Sequence, residues 1–98
     1  MIKPFKVQIS EENLQKIYSK VKNYHWHEMP DDGGWDYGTN LDYMKKFSKY
    51  WIEKYDWKKT EADINKFKNF KKNIDGIDIH FIHEKGSGSN PKPLLLNH

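Results

Sequence analysis

The stretch that decides the fold reads Ile74-Asp75-Gly76-Ile77-Asp78-Ile79-His80-Phe81-Ile82-His83. An Asp-Gly step between two runs rich in β-branched and aromatic residues is typical of a hairpin, because the tight primed turns need positive φ at both central positions. The pattern therefore predicts two antiparallel strands joined at Asp75-Gly76, with residues 69–74 leading into the turn.

A second apolar run, Leu94-Leu95-Leu96, follows a Gly/Ser/Pro loop near the end of the 98-residue sequence. It has no polar alternation, which is typical of a strand that is covered on both faces. Only Asn97 and His98 follow it, so the neighbours of such an orphan strand have to come from elsewhere. We therefore predict that the chain is the leading segment of a larger α/β protein.

A strand and a helix are predicted before residue 25. Pro4–Ile9 alternates apolar and polar side chains, the pattern of a half-exposed strand. Ser10 is a good N-cap, and the helix it begins extends to about Tyr24. Its apolar stripe consists of Leu14, Ile17, Tyr18 and Val21.

The sequence pattern in the middle of the chain predicts a loop and two further helices. Residues 25–40 are rich in Gly, Pro and Asp, and an amphipathic helix is predicted from Leu41 to about Tyr55. Thr60 opens a short third helix, with Asp63 placed for a capping box. The fold class is thus an α+β segment with an N-terminal strand, two or three amphipathic helices, a β-hairpin and an orphan strand.

Composition narrows the function classes. The net charge is +3 and all 17 basic residues are lysines, spread among acids, so we do not expect nucleic-acid binding. There is no Cys, and no apolar run is long enough to span a membrane. Apolar content is only 36% while aromatic content is 15%, which suits a segment that packs its rings against a partner domain.

Two polar clusters are candidate sites, but neither pattern predicts a catalytic or metal-binding function. His25 and His27 with Glu28 and Asp31 nearby can seed a metal site, but no spacing specifies a full ligand set. The Asp31-Asp32 pair can act as acid and base only in a cleft that perturbs their pKa values. We therefore predict no metal, no cofactor and no catalytic residue in this chain.

The sequence resembles the N-terminal domain of microsomal-type epoxide hydrolases, including the juvenile-hormone epoxide hydrolases, over nearly its whole length. The residues that carry the resemblance are Pro4-Phe5-Lys6-Val7, Trp35-x-Tyr37-Gly38-Thr39-x-Leu41-x-Tyr43, Tyr50-Trp51, Tyr55-Asp56-Trp57, Glu61, Asn65, Phe67, the Ile74–His83 stretch and Pro93-Leu94-Leu95-Leu96-Asn97-His98. Tyr-Asp-Trp and Ile-Asp-Gly-x-Asp-Ile-His-Phe-Ile-His are its most specific blocks.

The resemblance implies an α/β-hydrolase in which residues 1–73 meander over the catalytic domain and residues 74–98 form the first strands of its sheet. In this family the strand matching Leu94–Leu96 leads into a His-Gly-Trp-Pro motif that helps form the oxyanion hole. Only the first residue of that motif, His98, is present. The family's Asp nucleophile, His–acid pair and two tyrosines map onto no residue here.

The functional hypothesis is therefore the N-terminal portion of an enzyme that converts an epoxide and water to a vicinal diol through an Asp ester. We expect the chain to be inactive by itself and to pack on an α/β-hydrolase catalytic domain. The predicted packing surface consists of Trp26, Trp35, Trp51 and Trp57. The expected location is the cytoplasm, or the cytosolic face of the endoplasmic reticulum if an anchor lies upstream. The alternative is a free-standing module that binds a protein partner through exposed aromatics.

Overall fold

The computed structural model describes residues 1–30 and 33–98. Its elements in chain order are β1 (Ile2–Pro4), α1 (Glu11–Lys22), α2 (Leu41–Glu53), α3 (Trp57–Ile64), β2 (Asn69–Ile74) and β3 (Ile77–Ile82). The chain forms two compact units, one made of Met1–Val7 with Glu61–His98 and the other of Gln8–Thr60. The predicted α+β class is confirmed.

The first unit contains an antiparallel sheet in the order β1-β2-β3. The predicted hairpin is confirmed, since Asp75 and Gly76 join β2 to β3 with φ values of 51° and 86°. Asn73 holds the turn because its Oδ1 accepts from the Gly76 N–H at 3.1 Å. Its Nδ2 donates to Asp78 Oδ1 at 2.8 Å.

The N-terminal strand is displaced from its predicted position. β1 covers Ile2–Pro4 rather than Pro4–Ile9, and it pairs with residues 70–72 of β2. One further backbone bond follows, from the Phe5 N–H to the Asn69 carbonyl at 2.9 Å. The prediction is wrong because β2 begins at residue 69, so the alternating residues beyond Phe5 have no ladder to join.

An asparagine side chain replaces the missing strand at Val7. The Val7 N–H donates to Asn65 Oδ1 at 2.8 Å, and Asn65 Nδ2 donates to the Val7 carbonyl at 2.7 Å. This amide clamp satisfies both backbone groups of Val7 as a neighbouring strand would. It also fixes the N-terminal segment beside the residue that follows α3.

The two long helices lie in the second unit and begin at capping side chains, of which Ser10 is the predicted one. Ser10 Oγ accepts from the Asn13 N–H at 3.2 Å, and Asn40 Oδ1 accepts from the Tyr43 N–H at 2.9 Å. The helices end at Lys22 and Glu53, two residues earlier than expected. In α1, only Leu14 is buried, with 7% of its surface exposed.

The start of α3 was predicted incorrectly. The helix begins at Trp57, where Asp56 Oδ1 accepts from the Lys58 N–H at 3.0 Å. Thr60 lies inside the helix and therefore does not open a capping box. Its hydroxyl hydrogen-bonds the Tyr55 hydroxyl at 2.8 Å.

The predicted strand at Leu94–Leu96 is not a strand in the structure. The three leucines are 92%, 91% and 87% exposed. Strand geometry needs a neighbour to accept its backbone hydrogen bonds, and in residues 1–30 and 33–98 no strand lies beside this run. The three leucines that were predicted to be covered on both faces are thus exposed to solvent.

Candidate interaction surfaces

One face of the sheet is almost entirely apolar. Directly opposed residues of antiparallel strands share a face, and the register aligns Ile2 with Lys72 and Ile79 in one row. The apolar sheet face defined by this register consists of Ile2, Pro4, Phe70, Ile74, Ile77, Ile79 and Phe81, with Lys72 as its polar member.

The apolar sheet face is open to solvent. Ile77 is 65% exposed, Ile2 53% and Ile79 43%. The Phe70 and Phe81 rings stack against each other at 5.6 Å between centroids. A contiguous exposed apolar surface of this kind usually marks a contact with another body, because water is a poor solvent for it.

The opposite face of the sheet is polar and internally hydrogen-bonded around Asn69. This residue is only 4% exposed, and its Nδ2 donates to the Ile64 and Phe67 carbonyls at 2.9 and 2.8 Å. With both amide hydrogens engaged, Oδ1 is left to accept from His80 Nε2 at 2.9 Å. Nε2 of His80 is therefore the donor in this hydrogen bond, and the residue has a structural role.

Aromatic contacts reinforce the same polar face. The Phe5 ring meets the His80 ring edge to face at 5.4 Å between centroids. The Lys71 ammonium lies 4.2 Å from the Phe5 centroid, within the range of a cation–π interaction. The side chains of the polar face thus contact one another within the chain, whereas those of the apolar sheet face are largely exposed to solvent.

A second apolar surface lies on the unit made of residues 8–60, along α2. Tyr43, Phe47 and Trp51 are four residues apart, a spacing that places them on one side of a helix. Trp35 extends the row from the preceding turn, 5.3 Å from Tyr43 between ring centroids. Successive rings along α2 are 6.4 Å apart. We call Trp35, Tyr43, Phe47 and Trp51 the aromatic stripe.

An open apolar cavity of about 290 Å³ lies in the same unit. Its walls come from α1, α2, the first residue of α3 and the segments between these helices and before α1: Ile9, Leu14, Ile17, Tyr18, Trp51, Tyr55 and Trp57. Trp51 therefore belongs both to the aromatic stripe and to the cavity.

The four tryptophans named from the sequence are only partly brought together. Trp35 and Trp51 lie on the aromatic stripe, and Trp57 lines the cavity with Trp51. Trp26 instead meets Tyr24 edge to face, with ring centroids 4.8 Å apart. Trp35 is 59% exposed, while the other three are half-buried. Their use as a packing surface stays a prediction.

The structure describes only part of the two polar clusters considered as candidate sites. The rings of His25 and His27 are 6.5 Å apart, and the Asp31-Asp32 pair lies outside the described residues. Within the described ranges there is no group of three or more potential metal ligands. No helix of those ranges is long and apolar enough to cross a membrane. His98 is exposed, and its place in an oxyanion motif stays a prediction.

Sequence comparison identifies proteins that are similar to this chain. Residues 2–98 match the model of the epoxide hydrolase N terminus. Epoxide hydrolase 1 of Sus scrofa is 39% identical over 101 residues, and juvenile hormone epoxide hydrolase 1 of Ctenocephalides felis is 36% identical over 101 residues. Each alignment covers 99% of this chain and 22% of the relative. The chain thus spans about a fifth of the length of these curated relatives.

Solved structures show the same fold. The crystal structure of juvenile hormone epoxide hydrolase from the silkworm Bombyx mori aligns with a TM-score of 0.77 at 32% identity, over 84% of this chain and 20% of that one. The epoxide hydrolase of Aspergillus niger aligns with a TM-score of 0.74 at 26% identity, over 84% of this chain and 22% of that one.

The elements described above are therefore those found at the start of α/β-hydrolase epoxide hydrolases. The family match extends from residue 2 to residue 98, so it includes both units and both apolar surfaces. This chain belongs to the epoxide hydrolase N-terminal family.

Proposed function

We propose that this chain serves as the N-terminal portion of an epoxide hydrolase, an enzyme that adds water to an epoxide to give a vicinal diol. The observation that carries the proposal is the family match over residues 2–98. Within such an enzyme the chain packs on the α/β-hydrolase catalytic domain. Residues 74–98 contribute the first strands of its sheet, and residues 1–73 cover it.

The exposed apolar side chains support a covering role. On the apolar sheet face Ile77 is 65% exposed and Ile2 53%, and on the aromatic stripe Trp35 is 59% exposed. A contact with a catalytic domain would remove these side chains from water, which is favourable.

The proposal assigns no catalytic step to the chain. Opening an epoxide through an ester needs a carboxylate nucleophile, hydrogen-bond donors for the departing oxygen and a base that activates water. We propose that these groups belong to the catalytic domain and that His98 begins the oxyanion motif. The proposed location is the cytoplasm, or the cytosolic face of the endoplasmic reticulum if an anchor lies upstream.

We propose that the aromatic stripe and the cavity beside it contact the catalytic domain. This assigns Trp35, Trp51 and Trp57 to the interface and extends the packing surface to Tyr43 and Phe47. Exposed rings with a polar tip are favoured in such contacts, because each buries a large area at a small cost in side-chain entropy. Trp26, which meets Tyr24, is the remaining member of the proposed surface.

A chimera tests the proposed function. This chain replaces the matched region of the silkworm juvenile hormone epoxide hydrolase, and hydrolysis of juvenile hormone is measured. We expect the chimera to form diol and the purified chain alone to give none above the uncatalysed rate. The silkworm enzyme without its matched region is the negative control. A folded chimera with no more activity than this control would contradict the proposal.

A further inference from the structure

We propose that Asp75-Gly76 is a site of spontaneous aspartate isomerisation, a covalent modification of the main chain, and that the Asn73 side chain slows this reaction in the folded chain. The site is the turn between β2 and β3. The reaction requires no enzyme, so it is independent of the proposed function.

The reaction joins two groups that are neighbours in the chain. The amide nitrogen of Gly76 attacks Cγ of the protonated Asp75 side chain, and a new N–C bond forms as the C–OH bond breaks. The water that leaves consists of the carboxyl hydroxyl and the amide proton, and the product is a succinimide ring. Water then opens the ring at either carbonyl, which gives back aspartate or gives isoaspartate. One water leaves and one returns, so no oxidant or reductant is needed.

The residues of the turn offer little steric resistance to ring closure. Gly76 has no side chain beside the attacking nitrogen, and a Cβ at this position would meet no atom within 4 Å. Asp75 and Gly76 are both exposed, so water reaches the reacting atoms. Asp78 is exposed too, but Ile79 follows it, and the branched Cβ of that residue crowds the nitrogen. Asp78 is therefore an internal comparison for Asp75.

The Asn73 side chain restrains the attacking nitrogen. The Gly76 N–H donates to Asn73 Oδ1 at 3.1 Å, and Asn73 Nδ2 donates to Asp78 Oδ1 at 2.8 Å. The nitrogen has to lose its proton and turn toward Cγ of Asp75 before the ring closes, so its hydrogen bond to Asn73 must break first. The reaction thus starts from a locally opened turn, and the hydrogen bond lowers the population of that state.

Isomerisation changes the geometry of the hairpin. Isoaspartate adds one carbon atom to the main chain between residues 75 and 76, so the turn becomes longer. This turn joins Ile74 and Ile77, the last pair of the β2–β3 ladder, through two residues with positive φ. Because hairpin pairing depends on the length and type of the turn, we expect the modified hairpin to be less stable.

The test is incubation of the purified 98-residue chain in mildly acidic buffer, with and without enough guanidinium chloride to unfold it. Cleavage after lysine releases residues 73–85 as one peptide, which contains both Asp75 and Asp78. Chromatography separates isoaspartate from aspartate, and electron-transfer fragmentation locates it. We expect isoaspartate at Asp75 and not at Asp78, formed more slowly without denaturant than with it.

The same digest keeps a second Asp-Gly step separate. Asp32-Gly33 lies partly outside the described residues, and it is released on the peptide of residues 23–45. Isoaspartate at that step is therefore counted apart from isoaspartate at Asp75.

Two variants test the role of Asn73. Asn73→Ala removes the acceptor of the Gly76 N–H, and we expect isomerisation at Asp75 without denaturant to be about fivefold faster, as for the loss of one hydrogen bond. The matched control is Asp78→Ala, which breaks the other hydrogen bond of Asn73 but leaves its Oδ1 in place as acceptor. We expect a clearly smaller increase. In guanidinium chloride all three chains should react at the same rate.

A third variant keeps the test decisive if Asn73→Ala unfolds the hairpin, which far-UV circular dichroism would reveal. The hydroxyl of Asn73→Ser can still accept from the Gly76 N–H, although more weakly than an amide oxygen. We expect its rate to lie between those of the unchanged chain and the denatured chain.

The remaining outcomes would overturn the proposal. No excess of isoaspartate at Asp75 over Asp78 would show that the turn is not the site. Equal rates with and without denaturant, or a folded Asn73→Ala variant that reacts no faster than the unchanged chain, would show that Asn73 does not protect it. An acceleration by Asn73→Ala that persists in guanidinium chloride would assign the effect to residue type instead of the hydrogen bond.

Discussion

At the scale of single residues, two asparagines organise the sheet unit. Asn65 completes the hydrogen bonds of Val7, and Asn69 joins the end of α3 to His80 on β3. Neither role was predicted from the sequence, because an amide side chain carries no periodic signal and its partners are distant in the chain. The separation of 58 residues between Val7 and Asn65 illustrates the difficulty.

We expect Asn69→Ala to lower the free energy of unfolding of the chain. The substitution leaves two carbonyls and one imidazole N–H without their buried partner, which costs about 2–4 kcal/mol in the free energy of unfolding. Urea denaturation followed by far-UV circular dichroism measures it.

His80→Ala is the comparison for that prediction, because it removes one of the three hydrogen bonds of Asn69 together with the edge-to-face contact between His80 and Phe5. We expect a loss of about 1 kcal/mol. Equal effects of the two substitutions would show that the bonds to Ile64 and Phe67 contribute nothing.

At the scale of elements, the predictable features are those with a local signal. Asp75-Gly76 determines the hairpin, and Ser10 and Asn40 cap their helices. The start of α3 was missed because Asp56 and Thr60 are both good caps and only tertiary contacts choose between them. The Thr60 hydroxyl is instead hydrogen-bonded to the Tyr55 hydroxyl.

The turn glycine provides a test at this scale. A Cβ at Gly76 would meet no atom within 4 Å, so the cost of Gly76→Ala comes only from its φ of +86°. We expect the free energy of unfolding to fall by about 1–2 kcal/mol.

The matched change is Asp75→Asn, since Asn-Gly favours the same turn and position 75 already has positive φ. Thermal denaturation should show an unchanged or slightly higher Tm for this variant. A lower Tm for Asp75→Asn than for Gly76→Ala would contradict the assignment of the turn.

At the scale of the whole molecule, the main feature is apolar surface that is exposed to solvent. From the sequence, the low apolar fraction and high aromatic fraction indicated that rings would pack against a partner. The sequence did not reveal the apolar sheet face, because the register that aligns Ile2 with Ile79 depends on pairing between distant segments. Leu94–Leu96 shows the converse, a strand-like pattern without a strand to pair with.

The proposed interface predicts protection of specific tryptophans. The chimera and the free chain are labelled with 5-fluorotryptophan, and solvent relaxation of each ¹⁹F resonance is measured with a soluble paramagnet. Trp35, which is 59% exposed in the free chain, should lose most of its relaxation in the chimera. Trp-to-Phe substitutions assign the four resonances. Unchanged relaxation at Trp35 and Trp51 would place the aromatic stripe outside the contact.

The pairing of Ile2 with Lys72 has a consequence for the timing of synthesis. The first strand leaves the ribosome about seventy residues before its partner, which at ordinary translation speeds is a delay of roughly 4–14 s. Residues 8–60, with α1 and α2, are all synthesised within that interval. During translation, therefore, the helices can form before the first strand meets its partner in the sheet.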